Sequence, residues 1–79
     1  MRLPRNVSGR DLAQTLGKLG YEVTRRSGSH VRLTSAEGAH HVTVPDHDPV
    51  KVGTLQAILR DVARHTGLTR DELLQRLFA

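Results

Sequence analysis

Tyr21-Glu22-Val23-Thr24-Arg25-Arg26-Ser27-Gly28-Ser29-His30-Val31-Arg32-Leu33-Thr34 is the stretch that decides the fold of this chain. Tyr21, Val23 and Arg25 alternate with Glu22, Thr24 and Arg26. Past the turn signal Ser27-Gly28, Val31 and Leu33 alternate with His30, Arg32 and Thr34. Period-two alternation on both sides of a glycine turn predicts a β-hairpin. A third run follows a turn near Gly38: Val42 and Val44 alternate with His41 and Thr43, and Pro45 ends it.

Helical signals flank the strands. Ser8 is placed to cap a first helix, with Asp11 three residues on and Val7 and Leu12 spaced as a hydrophobic staple. Leu12, Leu16 and Leu19 line one face, and Gly20 fits the stop. Leu55, Ile58, Leu59 and Val62 form the buried stripe of a second helix that Gly67 ends. Thr69 and Glu72 spell a capping box, with Leu68 and Leu73 as its staple, before the apolar Leu73, Leu74, Leu77 and Phe78. The order is α-β-β-β-α-α over a single domain, residues 1–79. The predicted class is α+β, a three-stranded antiparallel sheet with helices on one face and the other face open.

Register carries the argument to function. Val23, Val31 and Leu33 are expected to face the helices. A three-residue loop, Ser27 to Ser29, pairs Val23 with Leu33, Arg26 with His30 and Thr24 with Arg32. The next hairpin pairs Leu33 with Val42, Val31 with Val44, Arg32 with Thr43 and Thr34 with His41. The open face then carries Arg26, His30, Arg32, His41 and Thr43.

Composition narrows the chemistry. The chain has 79 residues and no cysteine, which excludes disulfides, thiolate metal sites and cysteine nucleophiles. A domain this small buries only about 60% of its unfolded surface. No apolar run reaches the ~18 residues of a membrane span, and the N-terminus lacks a signal peptide's apolar stretch, so a soluble cytoplasmic protein is expected. The formal net charge is +4. Of twelve cations only Lys18 and Lys51 are lysines, leaving ten arginines. Arginine's planar fork suits a polyanionic partner, either a nucleic acid or an acidic protein. One Tyr and one Phe are too few for a base-stacking platform.

His30 is the leading candidate for chemistry. An imidazole can take a proton from a ribose 2′-hydroxyl while neighbouring cations hold the phosphate. On spacing alone, a surface polar residue or a structural hydrogen bond accounts for it as well. His40, His41 and His47 with Asp46 and Asp48 form a candidate metal cluster, but adjacent histidines on a strand point to opposite faces. The two aspartates fit a turn around Pro45 and Pro49 better. Lys51, Gly53 and Thr54 open the second helix, where free N–H groups favour phosphate. A plain cap at Thr54 or a neighbour explains them equally. Arg60, Arg64, Arg70 and Arg76 read as solvated helix faces, or as a wider RNA or partner surface.

Five segments carry a family resemblance in order: Leu3-Pro4-Arg5-Asn6-Val7-Ser8-Gly9, Leu16-Gly17-Lys18-Leu19-Gly20-Tyr21-Glu22, Arg25-Arg26-Ser27-Gly28-Ser29-His30, Val44-Pro45-Asp46-His47, and Gly53-Thr54-Leu55-Gln56-Ala57-Ile58-Leu59-Arg60. The chain resembles HicA-type toxins, the mRNA interferases of HicAB type II toxin–antitoxin systems. That resemblance implies a double-stranded-RNA-binding-domain-like fold and a metal-independent endoribonuclease without cofactor. It implies that His30, in Gly-Ser-His, is essential, and that a HicB-type antitoxin blocks the toxin. The acidic, proline-rich Asp46–Pro49 segment and the long tail after Gly67 depart from the pattern.

The sequence therefore predicts a ribonuclease with His30 catalytic. Arg25, Arg26, Ser29, Arg32, Lys51 and Thr54 are its expected phosphate contacts, and His41, then His47, its candidate general acids. The rivals are a non-catalytic RNA-binding module and an interaction protein with a basic face for an acidic partner.

Overall fold

Ser8 starts the first helix as expected: its Oγ accepts the Asp11 N–H at 3.0 Å. In the computed structural model, which describes residues 2–79, α1 spans Gly9–Leu16 and a 3₁₀ turn covers Gly17–Leu19. Three strands follow, β1 Glu22–Ser27, β2 His30–Thr34 and β3 His41–Pro45, then α2 Val52–Thr66 and α3 Arg70–Phe78. The strands make one antiparallel sheet in the order β1-β2-β3. The predicted α+β class and element order hold.

Helices cover one face of the sheet. Leu12 and Leu16 of α1, Val31 and Leu33 of β2, and Val42 and Val44 of β3 are buried together with Leu55, Ile58, Leu59 and Val62 of α2. Leu73, Leu74 and Leu77 of α3 join the same core. Tyr21, expected to open the first strand, lies just before β1 and is buried, as is Val50 in the loop before α2. The capping box of α3 is complete: Thr69 Oγ1 accepts from Glu72 N–H, and Glu72 Oε1 accepts from Thr69 N–H. Its far end is held by α1 and the turn after it, since Thr15 Oγ1 and Lys18 Nζ both donate to the Leu77 carbonyl, at 2.7 and 3.0 Å. No helix among the described residues is long and apolar enough to cross a membrane.

The second hairpin has the register the sequence predicts, with Val31 opposite Val44, Arg32 opposite Thr43, Leu33 opposite Val42 and Thr34 opposite His41. The first does not. Its loop has two residues, Gly28 and Ser29, so Ser27 faces His30, Arg26 faces Val31 and Arg25 faces Arg32. Gly28 has φ 59, the positive first position of the II′ turns whose twist matches paired strands. The expected pairs Arg26–His30 and Thr24–Arg32 are thus absent. A one-residue bulge between Val23 and Arg25 absorbs the shift, and Val23 still pairs with Leu33. Val23 is nonetheless 43% exposed rather than buried: it borders an open groove between β1 and α1, and all six β1 residues lie outside the core, whereas the other edge strand, β3, buries Val42 and Val44.

Candidate nucleic-acid interface

Directly opposed residues of antiparallel strands share a face. The open face therefore reads in rungs: Ser27, His30 and Pro45; then Arg25, Arg32 and Thr43; then Glu22, Thr34 and His41. His30, Arg25, Arg32 and Thr43 are all exposed. The His30 ring makes no hydrogen bond to another described residue. Arg25 and Arg32 stand opposite each other, a like-charge pair that costs stability. Neither is in an ion pair; the pairs among the described residues are His40–Asp61, His65–Glu37 and Arg70–Asp71. An anion lying on this face would relieve that repulsion.

Several predicted residues gather at the His30 end of the sheet. The Ser29 carbonyl accepts the Asp46 N–H at 2.6 Å, and the His47 carbonyl accepts the Gly9 N–H at 2.8 Å. The loop carrying exposed His47 is thereby fastened beside the His30 turn. The same loop runs into α2, whose N-cap is Lys51. No side chain caps α2, so Thr54 is not the cap residue, and the first-turn N–H groups are left for other acceptors.

Two predicted residues lie elsewhere. Arg26, opposite Val31, is on the helix side of the sheet and not beside His30. The reason is the short turn, which moves every β1 residue near it by one position. His41 is on the open face as expected, but opposite Thr34, four residues from His30 along β2. At about 3.3 Å per residue, that is roughly 13 Å. Its Nδ1 is hydrogen-bonded to Thr34 Oγ1 at 2.9 Å. His41 does not share a site with His30.

His40 enters a network that sequence reasoning missed. Its Nε2 lies 3.2 Å from Asp61 Oδ2, and its Nδ1 lies 2.7 Å from the Tyr21 hydroxyl. A carboxylate only accepts, so Nε2 carries a proton, and in the neutral ring Nδ1 accepts from Tyr21. The His65 ring stacks on His40 with centroids 4.5 Å apart, and its Nε2 meets Glu37 Oε1 at 2.5 Å. Burial, then the charges of Glu37 and Asp61, push the Tyr21 hydroxyl above its ordinary pKa. Glu37 is held below the usual carboxylate range, first by its own backbone N–H and then by His65 and Ser35. The network clasps the β2–β3 loop to α2, far from the His30 rung. The sequence offered one signal, its single tyrosine, whose hydroxyl needs a partner once the ring is buried. The five residues weighed as a metal cluster are spread over this clasp, the open face and the β3–α2 loop. No three His, Asp or Glu side chains among the described residues group as metal ligands.

Comparison with known proteins adds one finding. The family model described as "HicA toxin of bacterial toxin-antitoxin" matches residues 9–63. The matched span opens at the first residue of α1, crosses all three strands and stops inside α2, so α3 lies beyond it. No curated protein and no solved structure matches the chain.

Proposed function

Because the chain belongs to the HicA toxin family of bacterial toxin–antitoxin systems, we propose that it is an mRNA endonuclease with His30 as general base, neutralised by a HicB-type antitoxin. The observation that supports this most is the rung order of the open face: exposed His30 beside the unpaired Arg25 and Arg32. Neutral His30 takes the proton of a ribose 2′-hydroxyl. The 2′-oxygen attacks the adjacent phosphorus and the bond to the 5′-oxygen breaks, leaving a 2′,3′-cyclic phosphate and a 5′-hydroxyl. The nucleophile is the substrate's own hydroxyl, so this route asks for no metal. Arg25 and Arg32 stabilise the charge on the phosphoryl oxygens, and Lys51, Ser29 and the uncapped N–H groups around Thr54 hold flanking phosphates. With His41 out of reach, His47 is the general acid that protonates the leaving oxygen. The antitoxin covers the basic face.

The test is incubation of wild type and His30→Ala with mRNA in excess EDTA. Wild type should cut, and the variant should lose about 10²- to 10⁴-fold in rate, the usual worth of a general base. If both proteins bind RNA and neither cuts, the chain is an RNA-binding module. If cutting stops only on chelation, a metal is part of the chemistry.

A further inference from the structure

The two-residue turn at Gly28-Ser29 sets Arg26 opposite Val31, on the helix side of the sheet, where it lines a groove of about 430 Å³ between β1 and α1. Arg10, Gln14, Val23, Val31 and Asp46 line the groove with it. Arg10 and Arg26 are exposed, and neither is in an ion pair with a described residue. Even Asp46, in the same groove, is beyond ion-pair distance of both.

The groove lies directly behind the candidate catalytic rung. Arg26 is the chain neighbour of Ser27, Val31 of His30, and Asp46 of Pro45, and Ser27, His30 and Pro45 form that rung. β1 is an edge strand and, unlike the other edge strand β3, is exposed along its whole length. Arg25 presents its charge on one face of this edge and Arg26 on the other. Two consecutive guanidinium groups thus mark a cationic path around the edge, from the open face to the groove.

We infer that the groove is a second phosphate subsite for single-stranded RNA. The strand that presents its scissile phosphate to His30 bends around β1 and seats a neighbouring phosphate between Arg10 and Arg26. This rests on the ribonuclease reading above. Guanidinium forks match phosphate oxygens in pairs, and Gln14 adds an amide donor beside them.

The test is RNA binding in the His30→Ala background, where the probe, a short fluorescent single-stranded RNA, stays intact. Affinity is measured against salt for Arg10→Gln/Arg26→Gln and for a charge-matched control, Arg60→Gln/Arg64→Gln on α2. The groove variant should bind about tenfold or more weaker than the control. Its salt slope should fall by about 0.7 for each phosphate released. Equal affinity and slope in the two double variants, with circular dichroism showing both folded, overturn the inference. Loss of antitoxin binding with RNA affinity intact also overturns it, and assigns the groove to the protein partner. If wild type neither binds nor cuts RNA, the ribonuclease reading itself has failed, which is seen without any groove variant.

Discussion

Gly9 and Pro45 approach so closely that a Cβ on Gly9 would stand 2.0 Å from the Pro45 carbonyl oxygen. The contact is backbone against backbone, because Gly9 N–H also donates to the His47 carbonyl. It seats the start of α1 on the end of β3, beside the loop that carries His47. Gly9→Ala must push these apart. Overpacking of this kind costs about 1–3 kcal/mol, and a backbone clash belongs at the upper end. In a domain this small that is a fall in Tm of more than about 10 °C. Thermal unfolding followed by circular dichroism checks it, and an unchanged Tm would contradict the packing described.

The two remaining histidines near the sheet separate by position. His47→Ala should lower the rate of mRNA cleavage about 10²-fold or more, as loss of a general acid does. His41→Ala should leave the rate within a few-fold of wild type, since its rung is roughly 13 Å from that of His30. Parallel time courses on one transcript decide between them; the reverse ranking would remove His47 from the mechanism.

The Tyr21–His40–Asp61 clasp sets an alkaline limit. The folded pKa of Tyr21 is raised above its ordinary 10.0, so the folded state holds that proton more tightly than the unfolded chain does. The stability this contributes is complete below about pH 10 and is lost as pH rises through the folded value. Tyr21→Phe should flatten the loss of stability above pH 10. Denaturant titrations at several alkaline pH values would show it.

Glu37 acts at the other end of the scale. Its folded pKa lies below the ordinary 4.5, so its contribution is present above that value and fades as pH falls through the lower folded one. Glu37→Gln should therefore reduce the dependence of Tm on pH below about 4.5 and leave it unchanged near neutrality. A variant as acid-sensitive as wild type would count against the hydrogen bonds, from its own backbone N–H first and then from His65 and Ser35, that hold the Glu37 carboxylate.

α3 is fastened by its cap and by its last turn. Thr69→Ala removes the acceptor for the Glu72 N–H and should cost about 1 kcal/mol, or roughly 4–8 °C in Tm. Leu77→Ala, at a fully buried position, should cost about 2–5 kcal/mol. A gap of this size between the two variants in urea melts would confirm that packing, more than capping, holds the helix.

Much of this was legible because it is periodic. The stripe Leu55, Ile58, Leu59 and Val62 marked α2, and the alternation around Val31, Leu33, Val42 and Val44 fixed the second hairpin to the residue. Both patterns have one buried face, and a slip of one residue would expose it. β1 has no such constraint. As an edge strand with every residue outside the core, it tolerates a two-residue turn plus a bulge as readily as the expected three-residue loop. That is why Arg26 was placed on the wrong face. The partners of His40 were hidden for another reason: Tyr21, His40 and the α2 pair Asp61 and His65 lie in three well-separated segments of the chain, and no local rule joins those segments.

By itself the sequence determined the α+β class, the element order, the caps at Ser8 and Thr69, and His30 on the open face, because burial and hydrogen-bond satisfaction act over a few neighbouring residues. Only the tertiary structure decided which arginine stands beside His30, that His41 is too distant to serve it, and that His40 closes a clasp on α2. Those depend on how an unconstrained edge strand meets its neighbour and on contacts between distant segments, which local periodicity does not encode.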